Sequence, residues 1–194
     1  MKNYKKIVFF VFLLISGVLL FLTFTKKNKS RIQYFKNFKQ ANLSKKISGE
    51  FKYSPDNFET ISFQFVNLKG RIRNNYNNKL IYNCSYNSEA TKPIITKTLL
   101  DFTKTKGANC RIKIPVKHKI TFNVVNTNLR LDNLNNDIDV NFVNGKVKFE
   151  ADDQANYKYN LNLVNGRISE SFKNSTNTKS FQINITGTNG VITN

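Results

Sequence analysis

The sequence predicts an all-β domain, in the form of a β-solenoid, that follows one N-terminal transmembrane helix. Residues 7–24 carry no charge, and from residue 58 onward apolar and polar residues alternate in many short runs. Such alternation has the period of a half-buried strand. Val-Asn-Gly or a close variant recurs along the second half of the chain at the spacing of a stacked strand repeat. These features divide the chain into a basic tail (1–6), a transmembrane anchor (7–24), a basic, partly helical juxtamembrane linker (25–57) and a β-strand-repeat domain (58–194).

The uncharged run extends from Ile7 to Phe24. As a helix it would measure about 27 Å, which is enough to cross a bilayer. Lysines precede it as in a signal peptide, but residues 23–27 lack the small-x-small pattern of a cleavage site. The sequence therefore predicts an uncleaved anchor, with a cleaved signal peptide or a buried core helix as the alternatives. The positive-inside rule chooses no orientation, because the basic residues on the two sides are nearly balanced.

The net charge of +19 belongs to the front half of the chain. Between residues 26 and 119 there are 21 Lys and Arg against 5 Asp and Glu, whereas residues 120–194 contain seven of each. Basic residues beside the anchor are candidates for contact with anionic lipid headgroups, namely Lys26, Lys27, Lys29, Arg31, Lys36 and Lys39. The segment from 31 to 43 has the spacing of a short amphipathic helix, which lies on the headgroups or packs against the domain. The expected partners are the membrane and an unknown envelope protein or polyanionic glycan.

The chain contains two cysteines, Cys84 and Cys110. In an oxidising compartment they could form a disulfide that closes the loop between them and stabilises the fold by about 3 kcal/mol. Two isolated thiols are the alternative. Together with the signal-like start, this pair favours a single-pass protein of the bacterial inner (cytoplasmic) membrane, with its C-terminal domain in the periplasm or outside the cell.

The repeat is measured from the Asn that opens each copy: Asn126, Asn144, Asn165 and Asn189. The copies follow one another at intervals of about 20 residues, which is the length of one coil in a solenoid. Residues 66–72 resemble a degenerate earlier copy. Such a coil would hold two short strands, such as 138–142 and 147–149, with a corner between them. The glycines Gly145, Gly166 and Gly190 are expected to supply a positive φ at each chain reversal or corner.

A two-residue hairpin turn is the rival interpretation, because Asn-Gly between alternating runs is also a strong hairpin signal. Pairing around Asn144-Gly145 would place every apolar residue on one face, as a hairpin requires. Pairing around Asn189-Gly190 would set Gly187 opposite Ile192, which is poor. The sequence leaves both possibilities open.

Two stretches carry a resemblance to a known family. Arg-Ile-Lys-Ile-Pro-Val (111–116), then Lys-Ile-Thr-Phe-Asn-Val-Val-Asn (119–126) and the later Val-Asn-Gly copies, resemble a family of bacterial putative adhesins built from β-strand repeats. The similarity covers residues 58–194, with Thr127 in place of Gly in the first copy. The resemblance implies a β-solenoid displayed outside the cytoplasmic membrane, and it identifies no ligand.

The sequence predicts no catalytic, cofactor-binding or metal site, and therefore no enzyme and no cofactor. His118 stands between two lysines and is interpreted as a solvated turn residue. Asp152-Asp153 fit an exposed turn better than a calcium site, since the glycine-aspartate repeat of calcium-binding solenoids is missing. The mixed charge and aromatic character of Arg71, Arg73, Tyr76, Lys79 and Tyr82 is typical of nucleic-acid binding, but an exported domain makes that partner less natural.

These features predict a non-enzymatic, membrane-anchored envelope protein that presents an adhesin-like β-solenoid for interaction or scaffolding. One alternative is a cytoplasm-facing, membrane-bound solenoid that polymerises through open sheet edges. A less favoured alternative is an envelope enzyme acting on glycans through Asp132, Asp137 and Asp139, which are close in sequence.

Overall fold

The computed structural model describes residues 45–54, 59–87, 91–169, 171–177 and 180–194. Ten strands account for most of them: β1 (Lys45–Lys52), β2 (Ile61–Asn75), β3 (Lys79–Tyr86), β4 (Ile94–Ile95), β5 (Leu99–Phe102), β6 (Ala108–Pro115), β7 (Ile120–Asp132), β8 (Ile138–Glu150), β9 (Tyr157–Ile168) and β10 (Phe181–Thr193). A single 3-10 turn, Thr103–Thr105, links β5 to β6. The predicted all-β class is confirmed.

The predicted anchor, residues 7–24, and the basic residues Lys26 to Lys39 lie outside the described residues. Within the described ranges, no helix has the length and apolar character needed to cross a bilayer.

The strands form one open sheet in the order β1-β3-β6-β2-β7-β8-β10-β9, with β4 and β5 beside this path. From β6 through β2, β7, β8 and β10 to β9, every neighbouring pair is parallel. The repeats pair in register: Asn126 lies opposite Asn144, Asn144 opposite Asn189, and Asn189 opposite Asn165. Because Asn144 and Gly145 sit inside a continuous strand with parallel neighbours on both sides, the hairpin alternative is not realised there.

Each long parallel strand has a corner at its central Asn. In β7 the buried apolar residues are Ile120, Phe122 and Val124 before the corner, and Leu129 and Leu131 after it. In a straight strand the inward residues are separated by even intervals, whereas Val124 and Leu129 are separated by an odd one. The strand therefore bends between them. The first half and the second half of each strand therefore both turn apolar residues inward. The two short strands expected for each coil are joined into one bent strand.

Side chains from the two halves meet in a single core. The ring of Phe149, in the second half of β8, packs edge-on against Tyr157 and Tyr159 in the first half of β9, with centroids 5.2 and 5.7 Å apart. Along the first half, Phe63 stacks on Phe122 with ring centroids 4.7 Å apart. The bent sheet thus folds around its own apolar side chains, and its outer faces carry mostly polar residues.

The folded domain begins earlier than the boundary at residue 58 that the sequence indicated. β1 lies in the segment assigned to the linker, and it pairs antiparallel with β3 along its whole length. Ile47 and Phe51 pack against the core, and Gly49 lies so close to the ring of Tyr82 that a Cβ would overlap it. The alternation of residues 47–51 is a strand signal inside a lysine-rich stretch, and the pairing with β3 satisfies its backbone groups.

Candidate functional site

A row of asparagine side chains runs across the strands at the corners. The Nδ2 of Asn126 donates to the Oδ1 of Asn67 at 2.7 Å. The amides of Asn144 and Asn189 continue the row, each donating to the Asn of the neighbouring strand at 3.1 Å. Asn67 belongs to the degenerate early copy, so that copy supplies the first asparagine of the row. Asn165 aligns with Asn189 at the far end.

The glycines beside these asparagines let the strands approach closely. A Cβ at Gly145 would overlap the backbone carbonyl of Thr127, one at Gly190 the carbonyl of Gly145, and one at Gly166 the carbonyl of Gly190. Gly145 and Gly190 have φ values of 129° and 157°, as predicted, whereas Gly166 has no such positive φ. Thr127, at the corresponding position of the first copy, is also without a positive φ, which explains why a side chain is tolerated there. The predicted repeat residues therefore come together, in a structural role.

The second halves of β6, β2, β7 and β8 carry a cluster of cations on their outer side. We call this surface the basic face, and its cations are Lys69, Arg71, Arg73, Arg111, Lys113, Arg130, Lys146 and Lys148. Two carboxylates, Asp132 and Glu150, lie among these eight cations, so six positive charges are in excess. The sequence does not reveal this cluster, because its members come from four strands that are widely separated along the chain.

Asp132 is the centre of the ion pairs on this face. Its carboxylate accepts hydrogen bonds from Arg71 at 2.6 Å, Arg130 at 2.6 Å and Arg73 at 3.2 Å. Burial alone would raise the pKa of Asp132, but the hydrogen bonds from the three guanidinium groups outweigh it and hold the pKa below its ordinary value. Beside it, Lys148 and Arg130 both pair with Glu150 at 2.6 Å, and they lower its pKa as well.

Four cations of the basic face have no ion pair among the described residues: Lys69, Arg111, Lys113 and Lys146. All four are exposed. Exposed cations without a carboxylate beside them are the groups with which this face can bind an anion.

The first half of the sheet has a different outer surface. A shallow groove of about 580 Å³ crosses β2, β7, β8 and β10 beside the corners. Its lining includes the amides of Asn123 and Asn141, which hydrogen-bond to each other at 3.0 Å, and the exposed Val125 and Val143. None of the residues that line this groove is charged, in contrast to the basic face.

His118 is buried, and its interpretation as a solvated turn residue is therefore wrong. The side chain is 4% exposed, its Nδ1 lies 3.1 Å from the carbonyl oxygen of Glu59, and its ring packs edge-on against Tyr53. The turn after Pro115 folds inward because Asn136 bridges it, donating to the carbonyls of Pro115 and His118 at 2.9 Å.

The carboxylates that are close in sequence have separate partners in the structure. Asp137 accepts a hydrogen bond from the backbone of Gln182 at 2.8 Å. Asp139 pairs with Lys119 at 2.9 Å and accepts from Asn184 at 2.7 Å. Asp152 accepts from the backbone of Gln154 in a turn. No cluster of three or more metal-ligating side chains occurs within the described part of the chain.

The structure joins Cys84 to Cys110 as a disulfide. The two residues lie directly opposite each other on the antiparallel strands β3 and β6, with their Cα atoms 4.2 Å apart. This cross-link ties the antiparallel end of the sheet to the parallel stack next to the basic face.

The chain matches no family model and no curated protein. Among solved structures, it is similar to a protein from Clostridium sporogenes described as a putative cell adhesion protein, with 15% sequence identity and a TM-score of 0.40. The similarity covers 77% of this chain and 100% of that one. A likeness at this level assigns no function to this chain.

Proposed function

We propose that this chain is a non-enzymatic, membrane-anchored envelope protein whose β-solenoid serves as an interaction or scaffold module. In this proposal the anchor at residues 7–24 holds the protein in the bacterial inner membrane, and the domain lies on its outer side. The adhesin-like resemblance of the Val-Asn-Gly repeats points in the same direction.

The observation that carries the proposal is the in-register stacking of bent strands. Each strand places the same kind of side chain at the same level as its neighbour, as the asparagine row illustrates. Such stacking builds extended faces across the strands. Extended faces of repeated chemistry suit binding to extended partners.

The pairing of Cys84 with Cys110 supports the outer location, because disulfides persist in oxidising compartments. A thiol-accessibility experiment in cells tests it. A membrane-impermeant maleimide is applied to cells with a permeabilised outer membrane, before and after reduction. The expected result is labelling only after reduction, and a Cys84→Ser/Cys110→Ser variant sets the background.

Labelling without reduction, and only once the inner membrane is breached, would place the domain in the cytoplasm and contradict the proposal. The cytoplasm-facing scaffold that polymerises would then replace the envelope protein as the proposed function. One observation favours that second candidate: β9 stands at the end of the sheet order, and most of its second half is exposed. Open edges of this kind can pair with another chain. Sedimentation of the purified full-length protein over a range of concentrations would detect such assembly.

A further inference from the structure

We infer that the basic face is a binding site for a linear anionic polysaccharide, with Lys69, Arg111, Lys113 and Lys146 taking up its charges. This inference deepens the proposed function and rests on it, since such polymers occur outside the cytoplasmic membrane. The polymer is defined here by its chemistry: a chain of sugars that carries sulfate, carboxylate or phosphate groups at regular intervals.

Like charges are aligned across the strands of the basic face. Arg111, Arg71, Arg130 and Lys148 occupy directly opposite positions on the neighbouring strands β6, β2, β7 and β8. With strands about 4.8 Å apart, the four Cα positions span about 14 Å in a straight row. Like charges directly opposite each other destabilise a sheet. Asp132 and Glu150 offset part of that repulsion, and anions laid across the strands would offset the rest.

The positive charges of the basic face are unevenly neutralised. Asp132 and Glu150 form ion pairs with Arg71, Arg73, Arg130 and Lys148 and so neutralise two of these four charges. These pairs also hold the side chains of Arg71, Arg130 and Lys148 in place. Lys69 and Lys146 on one side of this network, and Arg111 and Lys113 toward β6, are left to meet external anions.

Asparagine amides lie between the cations of the basic face. Asn128 lies between Lys69 and Lys146 in one row, and Asn109 lies next to Lys69 on the other side. Both amides are exposed and can donate to and accept from sugar hydroxyls. Lys69 and Lys146 are two strand spacings apart, about 10 Å. Cations separated by amides suit a polymer in which charged groups alternate with hydroxyls.

The face differs from the surfaces that bind single-stranded nucleic acids. Such proteins combine cations with aromatic side chains on which the bases stack. The outer positions of β6, β2, β7 and β8 in this region carry Arg, Lys, Asn, Asp and Glu, and no aromatic residue among those described. Sugars bind by charge and hydrogen bonds without this requirement, so the polysaccharide is the favoured ligand.

The test uses the full-length protein in neutral detergent micelles and two labelled probes with the same backbone, dextran sulfate and uncharged dextran. Binding is measured by fluorescence anisotropy at physiological salt. The test variant is Lys69→Gln/Arg111→Gln/Lys113→Gln/Lys146→Gln, which removes exposed cations without breaking an ion pair among the described residues. The matched control is Lys92→Gln/Lys104→Gln/Lys158→Gln/Lys173→Gln, which removes four exposed charges elsewhere. The basic residues at 26–39 stay in every protein.

We expect dextran sulfate to bind and dextran not to bind. The test variant should raise the Kd by about tenfold or more, since each exposed charge contact contributes up to several-fold. The control should change the Kd by less than about threefold. Circular dichroism verifies the fold of each variant. The double variant Lys69→Gln/Lys146→Gln provides a second measurement, with an intermediate loss expected.

Absence of dextran sulfate binding, or equal losses in the test and control variants, would overturn the inference. Single-stranded DNA and vesicles containing phosphatidylglycerol are measured in parallel. Tighter binding of either one, with the same loss in the test variant, would replace the polysaccharide with a nucleic acid or a lipid surface. Binding in micelles does not depend on membrane sidedness. A cytoplasmic result in the thiol experiment would therefore refute the location while leaving the site intact.

Discussion

The corner at Gly145 provides the sharpest test of the stacked arrangement. Replacing Gly145 by Ala places a methyl group where φ is 129°, a conformation that side chains rarely adopt. The same methyl group would overlap the backbone carbonyl of Thr127 on the neighbouring strand. This carbonyl belongs to a paired strand, so it cannot move aside without disturbing the pairing of β7 with β8.

The magnitude follows from these two effects. A residue held in a sparsely populated backbone region costs about 1–3 kcal/mol. Forcing extra atoms into a packed region costs about the same again. Replacing glycine also reduces the conformational entropy of the unfolded chain, which raises the free energy of unfolding by about 0.4–1 kcal/mol. The net expectation is that Gly145→Ala lowers the free energy of unfolding by about 3 kcal/mol.

Gly70→Ala is the matched control. Gly70 has no positive φ, and its added Cβ would meet the side-chain methyl of Leu129 at 3.1 Å rather than a backbone atom. A methyl group at the end of a side chain can shift, so we expect a change within about 1 kcal/mol. Urea unfolding of the full-length protein, followed by far-UV circular dichroism, measures both variants. Equal effects of the two substitutions would refute the close approach of the strands at Gly145.

Three further predictions concern the disulfide, the asparagine row and Asp132. The Cys84→Ser/Cys110→Ser variant should lose about 3 kcal/mol of unfolding free energy, because the disulfide closes a loop with a sequence separation of 26. The reduced wild type should match this variant in urea unfolding. An unchanged free energy of unfolding would contradict a stabilising role of the disulfide. Asn126→Ala removes one hydrogen bond that Asn126 donates and one that it accepts, so we expect the free energy of unfolding to fall by about 1–3 kcal/mol in the same assay. An unchanged free energy of unfolding would show that the row does not stabilise the fold. Because the folded pKa of Asp132 is lowered, its stabilisation is complete above its ordinary pKa of 3.8 and is lost as the pH falls through the folded value. Asp132→Asn should therefore lower the free energy of unfolding by about 2 kcal/mol at neutral pH. The difference from wild type should shrink when unfolding is measured from pH 5 down to pH 2. A difference that does not depend on pH would contradict the lowered pKa of Asp132.

Much of the local structure could be read from the sequence. The alternation of apolar residues identified the strands, and the positions of Asn126, Asn144 and Asn189 marked the corners. The same alternation could not distinguish a hairpin from a stack, because both arrangements place the apolar residues of each half on one side. The strand at 45–52 was obscured by lysines that flank only two inward apolar residues.

The basic face was less accessible to sequence reasoning. The excess of Lys and Arg before residue 120 predicted a positive field, but not its position on the fold. Arg71 lies beside Arg130 because β2 pairs with β7, although β3, β4, β5 and β6 come between them along the chain. No local pattern encodes that pairing. The burial of His118 likewise depends on Asn136, which reaches back across a turn.

The sequence by itself determined most of the apolar residues that turn inward and the Asn and Gly positions where the chain changes direction, because both follow from the sterics of one strand and from the residues at its corner. Only the tertiary structure decided which strands are neighbours. β10 lies between β8 and β9, so that Gly190 rests on the carbonyl of Gly145 rather than on that of Gly166. The repeats are similar enough that several orders would satisfy their alternation equally well. The choice among them rests on how the core side chains of all the strands pack together, and that is a property of the whole sheet.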